Sequence, residues 1–183
     1  MAALYDIPLK TIDGRDTSLA EHKGKVLMIV NVASKCGLTP QYTALEKLHE
    51  TYAPKGFTVL GFPVNDFAGQ EPGTNDEIKT FCSTTYGVTF PMYDKISVKG
   101  EARHPLYQEL IAEIPTATPK PGGSLRETLT KHGLAPTNEN DVMWNFEKFL
   151  VGRDGQVIGR FAPDIAPDDP VLTTAIAAAL ARN

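Results

Sequence analysis

Cysteine is scarce in this chain: Cys36 and Cys82 are the only two among 183 residues. Two thiols are too few for the disulfide framework of a small secreted protein. An excess of positive charge is lacking too. Lys and Arg number 18 against 22 Asp and Glu, a net charge of -4, which gives no basic field for nucleic acid. No apolar run approaches the length of a transmembrane helix, and no polybasic or strongly amphipathic segment points to a membrane surface. The start, Met1-Ala2-Ala3-Leu4-Tyr5-Asp6, lacks a charged region followed by an apolar stretch, so the sequence reads as a cytoplasmic protein without a signal peptide. The His and Cys residues show no C-x-x-C or H-x-x-x-H spacing, and neither a metal nor an organic cofactor is implied. There is no internal repeat.

What is present fits one domain over 1–183, with an irregular insertion at about 115–141. Val26 to Ala33 is a near-continuous apolar run, suited to a parallel strand covered on both faces. Ser34-Lys35-Cys36-Gly37-Leu38 then turns the chain, and Thr39-Pro40 reads as a helix N-cap followed by proline at the first helical position. A thiol at that junction meets unpaired backbone N–H groups, the positive end of a helix dipole and the charge of Lys35, all of which favour a reactive thiolate. The alternative is a buried structural cysteine.

Further along, Asp13-Gly14 centres a hairpin ahead of that strand. Leu45, Leu48, His49 and Tyr52 mark an amphipathic helix ended by Gly56, with His49 at the core edge. Phe57 to Phe62 reads as a second buried strand stopped by Pro63. Thr74-Asn75-Asp76-Glu77 has the form of a capping box and opens a helix carrying Ile78, Phe81 and Cys82. Ser83-Thr84-Thr85 and Gly87 predict that this helix is short. A strand is expected near Met92 to Val98, and helices at His104 to Ile114 and Leu125 to Lys131. Trp144 to Val151 reads as a strand, Arg153-Asp154-Gly155-Gln156 as a tight turn, and Val157 to Phe161 as its antiparallel partner. A helix over Pro170 to Leu180 closes the chain. This order predicts an α/β protein with a thioredoxin-like fold, a mixed central β-sheet flanked by helices. Thr39 stands where a C-x-x-C motif has its second thiol, which argues against a dithiol oxidoreductase. A lone thiolate there suits attack on a small electrophile such as a peroxide.

Three blocks then carry a resemblance: Asn31-Val32-Ala33-Ser34-Lys35-Cys36-Gly37-Leu38-Thr39-Pro40-Gln41-Tyr42; Leu60 to Phe67 with Gly69-Gln70-Glu71-Pro72-Gly73; and Met143 to Val151. In order and in sequence they resemble the signatures of the glutathione peroxidase family. The resemblance implies a hydroperoxide substrate, with Cys36 as the peroxidatic residue and Gln70, Trp144 and Asn145 completing a catalytic tetrad. Amide and indole N–H groups suit that task, since they stabilise a thiolate and the charge on a departing oxygen without adding negative charge. The segment around Cys82 resembles the part of thioredoxin-dependent members that carries the resolving cysteine. It implies a Cys36 sulfenic acid, a Cys36–Cys82 disulfide and thioredoxin as reductant, in a monomer or weak homodimer. Other readings are a one-cysteine peroxidase using glutathione directly, a peroxide sensor that oxidises a partner protein, and a non-catalytic binding module of this fold. Val64 and Asp66 replace a cysteine and a glutamine common in relatives. The valine suits packing, whereas an acid near a thiolate opposes its ionisation unless it points away or is paired. Asn65 is expected to hold its loop through the backbone.

Overall fold

Seven consecutive buried residues form the central strand of the computed structural model, which describes residues 3–182. That strand is β3 (Val26–Val32), preceded by a short hairpin of β1 (Leu9–Lys10) and β2 (Asp16–Thr17). After it come α1 (Gln41–Tyr52), β4 (Phe57–Pro63), α2 (Asn75–Tyr86), α3 (Pro105–Glu113) and α4 (Leu125–Lys131). The chain finishes with β5 (Lys148–Val151), β6 (Val157–Phe161) and α5 (Pro170–Ala181). The sheet order is β4-β3-β5-β6, with β3 parallel to β4 and antiparallel to β5, and β5 antiparallel to β6. The sheet is thus mixed, as the element order predicts. Every residue of β3, β4 and β5 is buried, which accounts for their mostly apolar composition, broken by Asn31, Thr58 and Lys148. Tyr107 of α3 meets Phe62 and Phe149 edge-on, while Tyr42 of α1 stacks against Phe90 and meets Phe146 edge-on.

Four local expectations need correction. Residues 92–98 form no regular strand. Met92 and Ile96 make single bridges to Gly61 and Val64, but the N–H of Asp94 bonds to the Lys10 carbonyl and Tyr93 bridges to Thr11. Pairing is divided between β4 and the hairpin, so neither ladder propagates. The segment also crowds Gly61, where a Cβ would lie 2.6 Å from the Met92 sulfur.

Trp144 to Phe146 is a turn, and β5 begins only at Lys148. Phe146 has φ +71°, a left-handed conformation that breaks a strand. The turn is held by Asn31, whose carbonyl accepts the Phe146 N–H at 2.7 Å and whose Nδ2 donates to the Trp144 carbonyl at 3.1 Å.

Helix α2 is not short: it runs 12 residues from a complete Thr74–Glu77 capping box to Gly87 at φ +61°. The Ser83 and Thr84 hydroxyls donate back to the Thr80 carbonyl, and Phe81, Tyr86 and Tyr42 pack ring against ring. Packing overrides weak propensity here. Finally, Thr39 does not cap α1; Pro40 is the residue before it, and the Thr39 hydroxyl is used elsewhere.

Outside α4 the 115–141 segment is irregular, and it is tied to the sheet by a buried cation. Arg160 pairs with Glu147 at 2.7 Å and donates to the carbonyls of Ile114 and Asn140. Thr118 extends the edge of β6 through its N–H to the Arg160 carbonyl, 2.8 Å.

Candidate active site

Cys36 lies in the turn between β3 and α1, 8 % exposed. Its sulfur accepts the Leu38 N–H at 3.3 Å, the kind of donor that stabilises a thiolate. Thr39 locks this turn from inside: its hydroxyl accepts the Cys36 N–H at 2.9 Å and donates to the Ala33 carbonyl at 2.8 Å. Lys35 is exposed.

The second block reaches the same place through its backbone. Ala68 and Gly69 both adopt left-handed φ, +55° and +62°, and turn Gln70 so that its carbonyl accepts the Lys35 N–H at 3.0 Å. The Asn65 side chain accepts the Glu71 N–H at 2.9 Å and so holds the loop. Val64 is fully buried in the core. The Asp66 carboxylate is occupied by the next turn, accepting from the Ser97 hydroxyl and, at 2.6 Å, from the Val98 N–H.

The third block completes the cluster. Asn145, fully buried, donates from Nδ2 to Gln70 Oε1 at 3.0 Å. That bond spends the oxygen end of the Gln70 amide and leaves its N–H donors for another acceptor. Trp144 packs on Phe67 with ring centroids 5.5 Å apart. Three strand-end loops therefore meet: Cys36 and Gln70 through Lys35, and Gln70 and Asn145 through their side chains. Asn31 and Thr39 bind this arrangement together; the sequence gives Thr39 only an N-cap role and does not single out Asn31. The signal for Asn31 is one amide inside an apolar strand, which burial makes expensive unless it is bonded.

Cys82 sits apart, on the inward face of α2 and 2 % exposed. Both thiols are free. Burial pushes the Cys82 thiol up to about 11, the Glu71 charge adds to that, and the Tyr42 hydroxyl beside it acts the other way. Between the Cys36 loop and α2 lies a cavity of about 360 Å³, lined by Ser34, Lys35, Glu71, Ile78 and Phe81 among others.

Lys148 anchors the start of α1. Its Nζ donates to Gln41 Oε1 and to the carbonyls of Pro163 and Ile165, at 2.6, 2.9 and 2.6 Å. Burial brings this amine down to about 7, against the opposing pull of Asp164 and Glu147. Among the described residues, no cluster of three or more His, Cys, Asp or Glu could hold a metal, and no helix is long and apolar enough to cross a membrane.

Comparison with known proteins identifies the family and the fold. The glutathione peroxidase family model matches residues 4–111. The chain is 56% identical over 174 residues to the thioredoxin/glutathione peroxidase BtuE of Escherichia coli K12, covering 95% of each. Among solved structures, that of Trgpx in apo form aligns with TM-score 0.70 and 33% identity, over 98% of this chain and 97% of that one. A thioredoxin family thiol:disulfide interchange protein from Chlorobium tepidum TLS, at 18% identity and TM-score 0.54 over 95% of this chain and 96% of that one, shares the fold alone.

Proposed function

The chain belongs to the glutathione peroxidase family and is a peroxidase, an oxidoreductase, and on that premise we propose a two-cysteine cycle for it. The Cys36 thiolate attacks the O–O bond of hydrogen peroxide or an organic hydroperoxide, becomes a sulfenic acid and releases water or an alcohol. Gln70, Trp144 and Asn145 supply donors to the sulfur and to the departing oxygen. Cys82 then condenses with the sulfenic acid, forming a disulfide and expelling a second water. Thioredoxin reduces that disulfide and returns both thiols. What supports the tetrad most directly is the Asn145–Gln70 hydrogen bond at 3.0 Å, because it joins the second and third sequence blocks beside the Cys36 loop. Support for the reductant comes from BtuE, whose name includes thioredoxin.

The disulfide needs motion. Cys82 faces inward from α2 while Cys36 lies in the loop before α1, and a disulfide requires Cα atoms within about 7 Å. Helix α2 opens locally on oxidation, an event less demanding than global unfolding. The same reading treats 1–183 as one such domain, a cytoplasmic monomer or weak homodimer. Burial of Cys82 and its raised thiol favour the second reading, in which glutathione attacks the Cys36 sulfenic acid directly.

Hydroperoxide-dependent NADPH loss, measured with a thioredoxin system and a glutathione system on wild type and Cys82→Ser, separates the two. The two-cysteine cycle expects thioredoxin-supported turnover that vanishes in the variant. Turnover preferring glutathione and unchanged in Cys82→Ser would reject it.

A further inference from the structure

Thr39 stands just before Pro40 at the head of α1 and has the side chain of an N-cap, yet α1 begins without any side-chain cap. The Thr39 side chain is buried and turned toward the preceding loop instead. Its oxygen accepts the Cys36 N–H at 2.9 Å, and its one proton goes to the Ala33 carbonyl at 2.8 Å. A capping residue that leaves its helix uncapped to serve a loop asks for an explanation in that loop.

Thr39 grips both peptide groups of Cys36. Its hydroxyl takes the Cys36 N–H, and its own N–H donates to the Cys36 carbonyl at 3.0 Å. On the other side the Lys35 N–H is held by the Gln70 carbonyl. With the backbone fixed on both sides, the Cys36 sulfur meets the Leu38 N–H at 3.3 Å. The Leu38 and Thr39 carbonyls accept the Gln41 and Tyr42 N–H groups at 2.9 and 3.0 Å, so the donor facing the sulfur is carried by the start of α1. Because the hydroxyl proton is spent on Ala33, the Thr39 oxygen can only accept toward Cys36. Where a C-x-x-C motif has its second thiol, this chain has a hydroxyl that aims the first.

We propose that Thr39 is a positioning residue for peroxide reduction: it sets the Cys36 backbone so that the Leu38 N–H faces Sγ and favours the attacking thiolate. This rests on the reading of Cys36 as the peroxidatic residue. Thr39 acts through the Cys36 peptide groups, not on the peroxide. Without its hydroxyl, the Cys36 N–H and the Ala33 carbonyl are left buried and unpaired, and the turn must rotate to satisfy them. That rotation draws Sγ away from the Leu38 N–H, a donor that binds a thiolate more strongly than a thiol. Lys148 also braces the start of α1, but it does so through the Gln41 side chain and leaves the Cys36 peptide groups to Thr39.

The test compares wild type, Thr39→Val and Thr39→Ser from pH 5 to 9. Mass spectrometry of the Cys36 peptide follows two reactions, alkylation by iodoacetamide and oxidation by hydrogen peroxide. Thr39→Val keeps the shape and loses the hydroxyl. In it both rates fall about tenfold at neutral pH, and both pH profiles move upward by about one unit, the effect of one hydrogen bond to a charged group. Thr39→Ser keeps the hydroxyl and the wild-type profile. A wild-type rate and profile in Thr39→Val overturns the proposal, and so does slowing with an unmoved profile, which marks a structural role. Equal displacement in Thr39→Val and Thr39→Ser also overturns it, because the hydroxyl is then not the cause. If Thr39→Val loses its native circular dichroism, amide exchange in wild type decides. A Cys36 N–H that exchanges as fast as exposed loop amides overturns the proposal, and a protected one with an unmoved Thr39→Ser profile supports it. Wild type alkylated at Cys36 but never oxidised there overturns the peroxidatic reading, while the alkylation profiles still judge Thr39, so the two failures are distinguishable.

Discussion

Asn145 donates to Gln70 at 3.0 Å across 75 positions of sequence, and the bond orients the Gln70 side-chain amide. Removing it leaves Gln70 free to rotate. Asn145→Ala is expected to lower the second-order rate of Cys36 oxidation by about 100-fold, the effect typical of losing one preorganised donor. Stopped-flow mixing with hydrogen peroxide reads this, and a rate within a factor of two of wild type would show the bond to be incidental.

Asn31 holds both ends of the Trp144–Phe146 turn. Asn31→Leu keeps the strand buried but deprives the Trp144 carbonyl of its donor, at about 1–3 kcal/mol of stability. Trp144 is the only tryptophan, so its fluorescence reports the turn directly. Unaltered emission together with an unaltered urea midpoint would contradict this account.

Lys148 satisfies three acceptors at once. Lys148→Met orphans the buried Ile165 carbonyl, while the Pro163 carbonyl keeps the Gln41 Nε2 donor, and a loss of about 1–3 kcal/mol is expected. The pH dependence has a definite sign. The folded value of about 7 lies below the ordinary lysine value, so between the two the unfolded chain binds more protons and stability rises with pH. Denaturant titrations from pH 7 to 10 should show that rise in wild type and its loss in Lys148→Met. A parallel pH dependence in both proteins would mean that the amine stays charged throughout.

Glu147 and Arg160 form an ion pair with both side chains 1% exposed. Removing one partner strands the other, and Glu147→Ala is expected to destabilise by about 3–5 kcal/mol. Arg160 also binds the carbonyls of Ile114 and Asn140, so amide exchange in 115–141 should accelerate more than in α1. Uniform acceleration across the chain would place the pair's role in global stability alone.

Where the determinants are local, sequence is a sufficient guide. The Thr74–Glu77 capping box, the Asp13-Gly14 hairpin and α4 at Leu125–Lys131 all stand where short-range chemistry puts them. The buried strands at Val26 and Phe57 follow from apolar run length alone. Each of these depends on residues within a turn or two of one another.

The misjudged places share a different cause. Thr39 has the chemistry of an N-cap, but its hydroxyl finds the Cys36 N–H and the Ala33 carbonyl first. Trp144 and Phe146 have strand-forming side chains, yet Asn31 holds the backbone in a turn that leaves Phe146 left-handed. Helix α2 outlasts its weak Ser-Thr-Thr stretch because Tyr86 packs on Tyr42.

By itself, the sequence determined the order of elements, the buried central strands and the chemical types gathered around Cys36. Only the tertiary structure decided that Gln70 would be aimed by Asn145, that Cys82 would face inward, and that Glu71 would be buried beside the Cys36 loop. The reason is physical. A donor is chosen by the acceptor that burial brings to it, and burial is settled by packing between elements far apart in the chain.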